Sequence, residues 1–545
     1  MREPTQGNGD GVVSNDIANI LQAARSGDID LAYELAGVAV ERGERDPAVF
    51  EIVAGWLAGH GQNNEAAAAI ETLRALADGD PVLLVRVGLL LLRLRRPGAA
   101  LTAFEAAIAL EPDYARAHYE RGVALGILGQ IGEMRTAHER TIALEPRNAD
   151  ALASLALIAA RAGDTAQTRN YASQSLGSRP DSGPAEAALA VADINDGKFA
   201  DAQRRLDLLL TDARLANDTW IDIAISDAGD AFAQRNCFPQ AFAAYTAVNE
   251  RRRKRQLPAI GNLRAVDAVR HRTAYFNRSE PWRIGCGRTL SPVAGHVFLL
   301  GFMRSGTTLL ETVLASNPAI CAMDEREFLA APARRFLFAD ETLDELAALD
   351  EPGLGIWCQA YWKAVEQAGA DVAGRVFVNK MPFNSLRLPL LAKLFADARI
   401  ILAIRDPRDV VLSCFRHRFD ANQLTFEFLR LEDCARFYSA TMEFMELCRS
   451  KLPLRICEHR YEDMIADFDT AVRAICEFIG VEWNEAMRDF VPASGVIAQR
   501  NQSAEQVRRG LYSSGIGQWR RFRAQLEPAI PILAPWIARF GYPAD

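Results

Sequence analysis

The stretch Gly301-Phe302-Met303-Arg304-Ser305-Gly306-Thr307-Thr308 decides how this 545-residue chain is read. It follows the apolar run His296–Leu300, which reads as a strand, and it opens a segment with Leu309, Leu310, Val313 and Leu314 at helical spacing. Strand, glycine-bearing loop and helix start make a phosphate cradle. Loop N–H groups converge, the helix end carries partial positive charge, and the Ser305, Thr307 and Thr308 side chains can add hydroxyls. Gly301 and Gly306 have the spacing of a Walker loop, yet Thr307 stands where that loop's lysine would follow, and Arg304 puts the cation inside the loop. Polyphosphate chemistry with Mg²⁺ would want the lysine and a metal-binding acid, so an ordinary ATPase is disfavoured.

After about residue 290 short apolar runs alternate with amphipathic stretches, which predicts an α/β domain with a parallel sheet. Strands are expected at His296–Leu300, Val376–Val378, Ile400–Ile404 and Leu454–Cys457, and helices at 306–316, 384–396, 408–417 and 462–479. The chain is 49% apolar and 24% charged, which excludes a mostly disordered protein. A net charge of −8 argues against general nucleic-acid binding. No apolar run is long enough to span a bilayer, and the polar, glycine-rich start lacks the pattern of a secretory signal. Nine scattered cysteines without a Cys-x-x-Cys pair predict reduced thiols, so the expected location is cytoplasmic. The histidines lack ligand spacing, and no metal is expected.

The first half is periodic. Pro112, Pro146 and Pro180 are 34 residues apart, and Gly27, Gly61, Gly129, Gly163 and Gly197 recur at 34 or 68, with Arg95 in the vacant slot. Small residues such as Ala66, Ala100 and Ala202 follow five positions after that slot, where paired helices must approach closely. The pattern resembles tetratricopeptide repeats (TPR), which stack into a superhelix with a concave face for peptides or partner segments. A flexible tail is expected at 1–12, repeats at 13–215, a seventh hairpin slipped by about five residues plus a connector at 216–292, and the α/β domain at 293–545. The run Arg251-Arg252-Arg253-Lys254-Arg255 reads as a solvated helix end before Pro258, or as a patch for an acidic acceptor.

The segment Gly301–Leu310 resembles the 5′-phosphosulfate loop of sulfotransferases that use 3′-phosphoadenosine-5′-phosphosulfate (PAPS), especially the tyrosylprotein sulfotransferase-like branch. Met303 occupies the position where that family's loop has proline. The resemblance implies that Arg405 and Ser413, in Ile404-Arg405-Asp406-Pro407-Arg408-Asp409-Val410-Val411-Leu412-Ser413, hold the 3′-phosphate. It implies Glu325 as general base, with Asp324 and Glu327 as rivals, and Lys380 as catalytic cation. The chain has 6 Lys against 56 Arg, so a lysine at a strand end is not its default cation. Tyr461, Ser503 and Gln506 resemble groups that close over the nucleotide, with Arg509 or Arg508 as the loop cation and Ser503 also donating to the leaving group.

The expected architecture is therefore an α-helical TPR superhelix followed by an α/β, P-loop-like sulfotransferase domain. Its reaction would move a sulfuryl group from PAPS, leaving 3′-phosphoadenosine-5′-phosphate (PAP), to a hydroxyl of a peptide tyrosine, carbohydrate or small phenol. A peptide or protein partner is expected on the repeat face. The alternatives are a nucleotide-dependent kinase on the same scaffold and a TPR scaffold with a vestigial transferase domain.

Overall fold

The computed structural model describes residues 10–261, 264–282, 292–490 and 515–545. The chain divides into two compact units, Met1–Leu215 and Ala216–Asp545.

In the first unit the helices from Asp10–Ser26 to Phe199–Thr211 pair into six TPR-like hairpins. Their starts are fixed locally. The side chains of Asp46, Asp80, Asn148 and Asp164 accept N–H bonds from the first turn of the helix that follows, and Pro47 and Pro81 occupy the first helical position, where no N–H is needed. The turn inside each hairpin needs a left-handed residue. Gly61 has φ +75°, Gly129 +77°, Gly163 +76° and Gly197 +76°, and in the vacant slot Arg95 takes the same conformation at +55°. Ala66, Ala100 and Ala202 are fully buried.

A second packing rule escaped the sequence reading. A Cβ on Gly88 would lie 2.3 Å from the ring of Phe104, and one on Gly122 would lie 2.5 Å from the ring of His138. In both hairpins a glycine admits a ring sixteen positions later on the paired helix. Gly229 and Tyr245 repeat this at 2.6 Å in the hairpin Thr219–Gln234/Phe238–Ile260, whose turn residue Asn236 has φ +61°.

That hairpin belongs to the second unit. Phe242 stacks on Phe415 with ring centroids 5.0 Å apart, and Asn249 donates to the Phe415 carbonyl at 2.7 Å. The basic run is absorbed here rather than solvated: Arg251 and Arg255 both bind Asp222, buried Arg252 donates to the Phe419 carbonyl, and Lys254 alone is exposed. Pro258 lies within the helix, which ends at Gly261. The next helix, Ala265–Arg278, packs on Leu431–Lys451.

The sheet of this unit has five parallel strands, β1 (Gly295–Gly301), β2 (Ile320–Asp324), β3 (Val376–Lys380), β4 (Arg399–Ile404) and β5 (Arg455–Arg460), in the order β2-β3-β1-β4-β5. Helix Thr307–Ala315 covers one face through Leu310, Val313 and Leu314, which pack with Val297, Leu299 and Val378. All strands end along one edge, and the order changes direction on either side of β1, which opens a crevice there. Strand β2 is an addition to the expected set, and the expected helix over 462–479 is two helices broken at Asp467. Among the described residues no helix is long and apolar enough to cross a membrane.

Candidate active site

The loop between β1 and helix Thr307–Ala315 is shaped by two glycines. A Cβ on Gly301 would sit 2.6 Å from the carbonyl oxygen of Ala403 on β4, so only glycine lets the strands approach at the loop's root. Gly306 caps the helix at φ +95° and contributes no side-chain cap, and uncapped first-turn N–H groups can receive an anion. Arg304 is also left-handed, at φ +68°, and such alternation turns successive N–H groups toward one point. Ser305, Thr307 and Thr308 are buried in the loop and first turn.

On the β4 side the expected groups meet. Arg304 Nε donates to Ser413 Oγ at 3.0 Å, and Arg405 Nη1 donates to the Arg304 carbonyl at 3.1 Å. The Arg405 guanidinium lies 5.0 Å from the centre of the Tyr461 ring, which itself lies against Gly306. Arg405 also binds the Gly515 carbonyl, tying the loop to the last segment of the chain. Burial, with Arg304, Arg418, Arg416 and Arg252 around it, holds the imidazole of His417, just beyond helix Pro407–Arg416, well below its ordinary range. Arg408, by contrast, is structural: it is fully buried, chelated by Asp406 at 2.9 and 2.8 Å, and donates to the carbonyls of Pro543 and Ala544.

On the β3 side, Lys380 ends its strand fully buried. Its ammonium meets Asp324, Glu325 Oε1 at 2.9 Å and Glu311 Oε2 at 3.3 Å. Burial opposes its charge, but Glu311, Glu325 and Asp324 together hold it above the ordinary lysine range. Glu325 is left-handed at φ +39°, and its N–H bonds the Lys380 carbonyl at 2.9 Å, so backbone and side chain both tie it to the lysine. Of its rivals, Asp324 shares Lys380, whereas Glu327 is engaged by Arg387 at 2.6 Å. Ser503, Gln506, Arg509 and Arg508 lie outside the described residues.

Sequence reasoning missed Glu311. Its signal was available as the one carboxylate inside the apolar helix Thr-Thr-Leu-Leu-Glu-Thr-Val-Leu-Ala. Burial pushes its carboxyl up to about 8 against the pull of Lys380.

The Gly301–Gly306 loop, the Arg405–Ser413 pair and the Lys380–Glu325 pair thus occupy the ends of adjacent strands β1, β4 and β3. Residues 296–485 match the Sulfotransferase family. The chain is similar to protein-tyrosine sulfotransferase 1 of Danio rerio, 24% identical over 45% of this chain and 72% of the relative. It is also similar to protein-tyrosine sulfotransferase 2 of Gallus gallus, 25% identical over 45% of this chain and 69% of the relative. An uncharacterized protein of Aquifex aeolicus is 27% identical over 44% of this chain, which spans only 32% of that relative's length. Among solved structures, the type IV pilus biogenesis factor PilW aligns with a TM-score of 0.34 and 17% identity, covering 40% of this chain and 100% of its own. A tetratricopeptide repeat protein from Parabacteroides merdae aligns with a TM-score of 0.31 and 14% identity, covering 39% of this chain and 86% of its own.

Proposed function

We propose that the second unit transfers a sulfuryl group from PAPS to an acceptor hydroxyl. The observation that carries this reading is the placement of a lysine-free phosphate loop between an Arg–Ser pair at β4 and a Lys–Glu pair at β3. The residues fit the donor: loop amides with Ser305, Gly306, Thr307 and Thr308 would take the 5′ side, and Arg405 and Ser413 the 3′-phosphate, with Tyr461 alongside. Glu325 takes the acceptor's proton as its oxygen bonds to sulfur, the bond from sulfur to the 5′-phosphate oxygen breaks, and that electron pair leaves on PAP. Arg304 and Lys380 stabilise charge on the transferring and bridging oxygens, with Ser503 as a further donor and Gln506 and Arg509 closing over the nucleotide.

The acceptor we favour is a tyrosine hydroxyl in a peptide, because similar proteins are named protein-tyrosine sulfotransferases and a helical repeat array suits peptide capture. We assign the protein to the cytoplasm on the strength of its scattered cysteines. The test is transfer of label from [³⁵S]PAPS to a tyrosine peptide with chelator present. Arg304→Ala and Lys380→Ala should each lower turnover on the order of 10²-fold with a smaller change in PAP affinity. Transfer that depends on ATP and Mg²⁺ instead would favour the kinase reading.

A further inference from the structure

Glu311 is a carboxyl that the proposed reaction does not use, in a place where a carboxyl is costly. It lies on the helix that follows the phosphate loop, with Leu309, Leu310, Val313 and Leu314 buried around it. Neither of its oxygens has a well-formed hydrogen bond, and its contact is with the Lys380 ammonium at 3.3 Å. The three acids on that ammonium grade from closed to open: the side chain of Glu311 is 1% exposed, that of Asp324 16% and that of Glu325 37%. An ammonium has three N–H donors, and three carboxylates can occupy all of them. For Lys380 to reach a transferring group from the crevice, a donor must come free on the open side while the buried side still holds the nitrogen in place.

We propose that Glu311 is a positioning residue for Lys380, its carboxyl anchoring the ammonium from within the core so that the donors toward Glu325 remain available to the reacting group. The inference rests on the sulfotransferase reading for the consequence of the anchor, not for its existence.

The charged groups facing Glu311 are Lys380 from β3 and Asp324 and Glu325 from the end of β2. The core that encloses its helix adds Val297 and Leu299 from β1, Met487, and the titratable Tyr461 and Cys476. With its carboxyl pushed up to about 8 by burial, Glu311 is neutral at lower pH, and Lys380 then answers to two carboxylates. As pH rises through about 8 a third negative charge appears and draws the ammonium inward. Turnover should therefore fall on the alkaline side with an apparent midpoint near that value, while the KM for PAPS changes little.

The experiment is NMR of the lysine ammonium groups in the full chain labelled with [¹³C,¹⁵N]lysine, beside pH profiles of kcat. With six lysines in the sequence, Lys380→Arg identifies the Lys380 signal by its disappearance. The expected result is a Lys380 resonance that shifts between about pH 7 and 9 in the parent protein and does not in Glu311→Gln. That variant should lose the alkaline fall in kcat and keep KM for PAPS within about twofold, whereas Glu311→Leu, which removes the anchoring oxygens, should lower kcat roughly 3- to 10-fold at neutral pH. A Lys380 signal that stays still across this range in the parent, or that moves alike in Glu311→Gln, overturns the proposal. The parent titration decides even if the variant does not fold. If the signal titrates as expected and no transfer from PAPS occurs, the anchor stands and the sulfotransferase reading falls.

Discussion

Gly301 and Gly306 differ in what an added methyl group would meet. At Gly301 the obstacle is the Ala403 carbonyl oxygen, 2.6 Å away on a paired strand that cannot yield without breaking the ladder. Gly301→Ala should therefore cost about 2 kcal/mol or more of unfolding free energy, measured by denaturant titration. At Gly306 the obstacle is the ring of buried Tyr461, 2.7 Å away, and φ +95° adds strain of its own. Ser413 offers a sharper test of the nucleotide assignment than Arg405, because Arg405 also holds the Arg304 carbonyl and so braces the loop itself. Ser413→Ala should weaken PAP about 10-fold and adenosine 5′-phosphate far less. Equal weakening of both ligands would remove Ser413 from the 3′-phosphate. That the loop, Arg405, Ser413, Glu325 and Lys380 stand at strand ends was legible because each sits in a short motif next to an apolar run. Glu311 was not, since its meaning depends on Lys380, 69 positions away in sequence and 3.3 Å away in space.

Among the elements, helical hairpins were the most legible because each repeats its own turn and contact residues. Arg95 shows the logic from the exception: it adopts at φ +55° the conformation that glycine holds in the neighbouring hairpins. Arg95→Gly should raise the stability of the repeat unit by about 0.5–1 kcal/mol, as a shift in its thermal midpoint, because it removes left-handed strain without removing a core side chain. No gain would mean that Arg95's own contacts offset the strain. Strand β2 was illegible for a physical reason. It is a five-residue edge strand, Ile-Cys-Ala-Met-Asp, buried only at Ile320, so it has neither the β-branched run of a central strand nor a clean alternation. The basic run was misread because its partner, Asp222, lies a full helix earlier and only the hairpin brings it to Arg251 and Arg255.

At the level of the whole molecule, the division falls at Leu215, ahead of the hairpin Thr219–Gln234/Phe238–Ile260. Asn249, Arg252 and the Arg264–Glu427 pair tie the segment 216–282 to the sheet-bearing part of its unit. A fragment of residues 216–545 should stay soluble and bind PAP as the full chain does, while one beginning near 285 should lose solubility because Phe242, Val248 and Tyr245 leave their partners exposed. If the repeats capture the acceptor, the 216–545 fragment should sulfate a long peptide more slowly than the full chain and a small phenol nearly as fast. Sulfuryl-donor binding is read most directly by calorimetric titration of the full chain with PAP, with adenosine 5′-phosphate and with ATP, each with chelator and with Mg²⁺. PAP should bind most tightly, losing the 3′-phosphate should weaken binding by about 10-fold or more, and Mg²⁺ should make no difference. Tight, Mg²⁺-dependent binding of ATP with no preference for PAP would contradict the sulfotransferase reading.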